Sequence, residues 1–82
     1  MSSYTANWLT VIEIGHTNKT KIFHVRAKQG ETSLGYIKWF GRWRKYAFFP
    51  EADTVFEQDC LNDLATVLDE IMKDYKELKR CK

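Results

Sequence analysis

Eighty-two residues, 44% hydrophobic, 15% aromatic and 29% charged, with a single proline, specify one small folded domain and exclude both a disordered tail and a large enclosed core. The net charge of +2 conceals an asymmetry, because residues 1–50 carry eight Lys/Arg against two Asp/Glu and residues 51–82 carry five against nine. The basic part favours an anionic partner, and no apolar stretch approaches the roughly 20 residues that a membrane-spanning helix requires.

In chain order, residues 1–6 carry no pattern and are expected to be flexible. Trp8 to Ile14 alternates, with Trp8, Thr10, Ile12 and Ile14 on one side and Leu9, Val11 and Glu13 on the other, which predicts a strand. Gly15 to Lys19 reads as a turn. A second strand over Lys21–Lys28 places Ile22, His24, Arg26 and Lys28 on a basic face and Phe23, Val25 and Ala27 on the opposite one. After a turn at Gln29–Ser33 come a strand from about Leu34 to Phe40, a turn at Gly41-Arg42 and a strand from Trp43 to Phe49, with Pro50 ending the sheet.

Thr54-Val55-Phe56-Glu57 fits a capping box and predicts a helix start near Val55. Apolar residues then recur at Cys60, Leu61, Leu64, Val67, Leu68, Ile71, Met72, Tyr75 and Leu78, one stripe at a helical period. Acids come early in this segment and Lys79, Arg80 and Lys82 last, which complements the helix dipole. The predicted fold is α+β: a four-stranded antiparallel sheet of two hairpins followed by one C-terminal helix packed on one face (ββββα). Residues 1–82 then form one domain, with the sheet over 7–50 and the helix over 54–79. Because such a core is small, association into a homo-oligomer is expected.

The stretch Lys38 to Tyr46 holds four basic and four aromatic residues and no acid. Aromatic faces stack on bases and cations attract phosphates, so this composition suits a nucleotide or a nucleic-acid strand. A two-residue turn at Gly41-Arg42 would set Phe40 opposite Trp43, Trp39 opposite Arg44, Lys38 opposite Lys45 and Ile37 opposite Tyr46. One side would then collect Ile37, Trp39, Arg44, Tyr46 and Phe48 for the core. The other would collect Tyr36, Lys38, Phe40, Trp43, Lys45, Ala47 and Phe49, with two facing lysines whose repulsion a bound anion would relieve. The candidate binding residues are Tyr36, Phe40 and Trp43 for stacking and Lys38, Arg42, Lys45 and Arg26 for phosphates. Trp39 and Arg44 form a second tier, since both can instead serve the core. The same composition also describes a plain amphipathic hairpin or an interface rich in aromatic anchors.

Other chemistry is weakly represented. His16 and His24 lack metal-ligand spacing with Cys60 or Cys81, so no metal or cofactor is expected. Cys60 near a helix start could have a lowered pKa, but its place on the apolar stripe favours an inert thiol. Asp59, Asp63, Asp69, Glu70 and Asp74 read as a solvated helix face. There is no glycine-rich phosphate loop and no serine–histidine–acid motif, so an enzyme is not expected. Neither cysteine suggests a structural disulfide and Met1-Ser2-Ser3-Tyr4 is unlike a secretory signal, which predicts a cytoplasmic protein.

Leu34-Gly35-Tyr36-Ile37-Lys38-Trp39, then Trp43-Arg44-Lys45-Tyr46-Ala47-Phe48-Phe49-Pro50, then Thr54-Val55-Phe56 and Cys60-Leu61-Asn62-Asp63-Leu64 resemble small uncharacterised proteins of bacteriophages and prophages. The likeness covers roughly residues 34–71 and implies an origin without an assigned activity. With the aromatic and basic hairpin it frames three expectations: a phage-type protein that sequesters a nucleotide signal of host defence, a single-stranded nucleic-acid-binding protein of the phage cycle, or a module that binds and inhibits a host protein. Host-cell cytoplasm is the matching location.

Overall fold

The computed structural model describes residues 3–17, 19–30 and 32–80, with side chains through Glu77. Five strands, β1 (Ser3–Thr5), β2 (Leu9–His16), β3 (Lys21–Ala27), β4 (Ser33–Phe40) and β5 (Lys45–Pro50), precede one helix, α1 (Gln58–Arg80). Every neighbouring pair is antiparallel and spatial order follows chain order, so the sheet is a simple meander. The α+β class and the C-terminal helix agree with the sequence reading, but the sheet has five strands and not four. The extra strand is β1, which falls in the segment expected to be flexible. It pairs Ser3 with Ile12, Tyr4 with Val11 and Thr5 with Thr10.

Alternation along the strands separates two faces. Leu9 and Val11 of β2, Phe23 and Val25 of β3, Ile37 of β4 and Tyr46 of β5 point inward and are buried against Leu64, Val67 and Ile71 of α1. Burying a side chain of this size removes roughly 1.5 to 3 kcal/mol of unfavourable hydration, and these nine residues form the core. Tyr4 and Trp39 pack at its margin. The Tyr4 ring meets Phe23 edge-on at 5.8 Å, and Trp39 lies 4.8 Å from Tyr75 and 5.4 Å from Tyr46.

Irregularities shift residues that the simple period misplaces. A bulge between Glu13 and Gly15 breaks the alternation of β2, so that Gly15 pairs with Ile22 and His16 with Lys21. On α1 the stripe holds at Leu64, Val67, Leu68, Ile71, Met72 and Tyr75. Leu61 faces solvent instead, and the Leu78 side chain, Cys81, Lys82 and the turn residues Asn18 and Glu31 lie outside the described residues. Asp63, expected on the solvated face, is buried. Its Oδ2 accepts the Trp8 backbone N–H at 2.8 Å, which ties the β1–β2 connection to the helix.

The helix starts three residues later than Val55, at Gln58, because the capping box does not form. Thr54 Oγ1 donates to the Glu51 carbonyl at 2.8 Å. Glu57 occupies the cap position: its carbonyl accepts the Leu61 N–H at 3.0 Å and its Oε1 accepts the Cys60 N–H at 2.8 Å. Those backbone bonds, from Cys60 first and then Asp59, hold the Glu57 carboxyl below its ordinary pKa. The Cys60 thiol shifts the other way. Burial and then the neighbouring Glu57 carboxylate raise its pKa, so the helix start does not activate it.

Candidate functional site

The helix covers only the inner face of the sheet. The outer face presents Ile12 from β2, Ile22, His24 and Arg26 from β3, Tyr36, Lys38 and Phe40 from β4, and Lys45, Ala47 and Phe49 from β5. All are exposed or only partly buried. This is the surface that the sequence marks, though its register differs from the expected one.

Gly41 to Arg44 form a four-residue turn in which the Trp43 N–H donates to the Phe40 carbonyl and the Arg44 N–H to the Gly41 carbonyl. A loop of this length, built around a type I turn, closes with a residue in the left-handed region. Arg44 takes that place, with φ 54°. Phe40 therefore pairs with Lys45, Trp39 with Tyr46, Lys38 with Ala47 and Ile37 with Phe48. The two-residue turn is thus corrected by a register shift of two. Side-chain faces survive such a shift, since the strand period is also two.

Two expectations do not survive it. Lys38 and Lys45 are not opposite one another, so the directly facing lysine pair that an anion would relieve does not form. Lys38 instead sets its Nζ over the Phe49 ring, 4.8 Å from the centroid, an attractive cation–π placement. Arg44 is no core residue, because it sits exposed in the turn.

The other marked residues separate cleanly. Tyr36, Lys38 and Phe40 stand in sequence on the outer face of β4, with Lys45 on β5 beside Phe40 and Arg26 at the far end of β3 opposite Ser33. Arg42 and Trp43 occupy the exposed hairpin turn. Trp43 is 65% exposed yet meets Phe40 edge-on at 4.8 Å, so its ring extends the aromatic row beyond the end of the strands. Trp39 faces the core.

Phe49 completes the row. It pairs with Tyr36 across the strands and lies 6.2 Å from the Phe40 ring. His24 stands beside Tyr36 on the other side, with ring centroids 5.1 Å apart and planes tilted by 35°. Both were legible as partners from the same alternation that marks Tyr36 and Lys45. Ser33 and Glu51 join the far end: Ser33 Oγ lies 2.8 Å from His24 Nε2 and donates to Glu51 Oε2 at 3.0 Å. A histidine, a serine and an acid therefore do meet here, which no sequence motif announces. The contact joins residues from two strands, β3 and β4, to Glu51, which follows the proline read as the end of the sheet.

Chemically the face offers stacking planes bordered by cations. Tyr36, Phe40 and Trp43 supply ring surface, Phe49 holds the Lys38 ammonium over its ring, and Lys38, Lys45, Arg26 and Arg42 supply positive charge. Phe40 and Tyr36 are four residues apart on one strand, a run of about 13 Å. Among the described residues no group of three His, Cys, Asp or Glu is placed to hold a metal ion, and no helix is long and apolar enough to cross a membrane.

Over 59 residues, 72% of this chain and 76% of the relative, the sequence is 36% identical to an uncharacterised 9.3 kDa protein of Acholeplasma phage L2. No family model matches the chain, and no solved structure matches it.

Proposed function

This chain belongs to the same family as that phage protein, and on that premise we propose that it is a non-enzymatic binding protein whose open sheet face holds single-stranded nucleic acid. The observation that carries the proposal is the uncovered face of β4 and β5, where Tyr36 pairs with Phe49 and Phe40 with Lys45. Stacking on such rings serves any base, and the flanking cations follow the backbone. The row of rings from Tyr36 to Phe40 is longer than one base. A small nucleotide signal is held better by a concave pocket, so a strand suits this geometry more closely. The charge also argues against a second copy as the occupant of this face, since sheet-to-sheet contact would bring Arg26, Lys38 and Lys45 toward their own kind.

Titration of a short oligonucleotide by calorimetry at several salt concentrations tests the reading. Affinity falls as salt rises, with a logarithmic slope near −0.7 for each phosphate neutralised. Lys38→Glu combined with Lys45→Glu weakens binding at least about tenfold and flattens that slope, while Tyr36→Ala costs about 1 to 3 kcal/mol of affinity. Wild-type protein that takes up no strand at low salt refutes the proposal. Stable capture of a protein partner by a surface that ignores nucleic acid would turn the same aromatics into interface anchors.

A further inference from the structure

Where the aromatic row ends, the outer face carries a linked set of three polar side chains. A serine hydroxyl has one proton, and Ser33 gives it to Glu51 Oε2 at 3.0 Å. His24 Nε2, 2.8 Å from Ser33 Oγ, is therefore the donor in its bond with Ser33. This order is the reverse of an activated nucleophile, in which the serine proton is directed at the histidine. The arrangement holds a carboxylate in place and does not prepare a hydroxyl for attack. Glu51 lies two residues beyond Phe49, which puts both on the same side of the chain as it leaves β5. His24, the other end of the linkage, stands against the Tyr36 ring.

We infer that Glu51, positioned by Ser33 and His24, reads the edge of a base stacked on Tyr36, and that it selects guanine. The inference rests on the strand-binding reading above and assigns it a base preference. An ionised carboxylate has acceptors only. Guanine presents two adjacent donors on its pairing edge, the N1–H and the N2 amino group, which match the two oxygens of one carboxylate. Cytosine and adenine offer a single amino group, and thymine or uracil offers one N–H between two repelling carbonyls. Such a bidentate contact discriminates between bases, whereas stacking alone does not.

The experiment uses the full chain and short oligothymidylates, each carrying one central guanine, 7-deazaguanine, hypoxanthine or thymine, titrated by calorimetry. Guanine and 7-deazaguanine strands, which share the pairing edge, bind about tenfold or more tightly than the all-thymine strand. The hypoxanthine strand, lacking the N2 amino group, loses most of that gain. Glu51→Gln abolishes the preference but binds the all-thymine strand at least as well as wild type, because a negative charge has left a basic face. Ser33→Ala weakens the preference with the fold intact by circular dichroism. Equal binding of all four strands by wild type, or a guanine preference that survives in Glu51→Gln, overturns the inference while leaving strand binding in place. Failure to bind any of the strands overturns both.

Discussion

A Cβ on Gly35 would overlap the carbonyl oxygen of Phe49 and lie 2.9 Å from both Phe48 Cε1 and Pro50 Cα. Its φ of 152° is one that other residues rarely adopt. The absence of a side chain therefore lets the end of β5 close onto β4, with Phe49 opposite Tyr36. Gly35→Ala is expected to cost about 2 to 4 kcal/mol in urea unfolding, because backbone must move to admit one methyl group. Asp63 constrains the opposite side of the sheet by other means. Its buried carboxylate satisfies the Trp8 N–H, so Asp63→Ala leaves that donor unpaired and lowers stability by about 1 to 3 kcal/mol. Asp63→Asn retains an acceptor oxygen and loses less in the same measurement.

The β4–β5 hairpin shows at the level of an element how a turn sets what its strands display. Arg44 holds a left-handed conformation that costs a branched or long side chain about 1 kcal/mol or more. Arg44→Gly is expected to raise the urea midpoint by up to about 1 kcal/mol of stability, and Arg44→Val to lower it, with the register unchanged in both. The same residue explains the difference between the expected turn and the observed one. Gly41 advertises a place for positive φ, whereas the residue that adopts it is an arginine with no such signature. The faces of β4 and β5 were nevertheless legible, since Ile37, Trp39, Tyr46 and Phe48 keep the parity that their alternation implies. So was the helix stripe through Leu64, Val67 and Ile71. β1 was not, because three residues are too few to show a period and its position depends on a Tyr4–Asp74 bond that spans 70 positions. The acid at the end of the candidate site was hidden for a similar reason: Pro50 reads as the end of the sheet, yet the chain stays beside β4 for one residue more, where the Glu51 N–H donates to the Leu34 carbonyl at 3.0 Å.

Across the whole molecule, two tyrosines bind the outermost strands to the rest. Tyr4 of β1 donates to Asp74 of the helix, and the Tyr46 hydroxyl on β5 accepts the Lys21 N–H at 3.0 Å. Burial, with the Asp74 bond and charge next, raises the Tyr4 pKa, and burial raises that of Tyr46 against the opposing effect of the Lys21 N–H. A group whose pKa is raised by folding stabilises the native state while it stays protonated. That contribution is complete below the unfolded value and is lost as pH climbs through the folded one. Unfolding free energy is thus expected to decline from about pH 10 upward, and Tyr4→Phe to flatten the decline in denaturant titrations across that range. The division into a packed face and an open one also places the chain's three tryptophans in different surroundings. Trp39 is stacked among tyrosines, Trp8 stands half in solvent beside the β1–β2 connection, and Trp43 projects from the hairpin tip. The indole most accessible to solvent therefore belongs to the proposed binding surface, so the protein carries its own optical reporter. A ligand settling there would alter the red edge of the emission and shield it from iodide, without any label being attached.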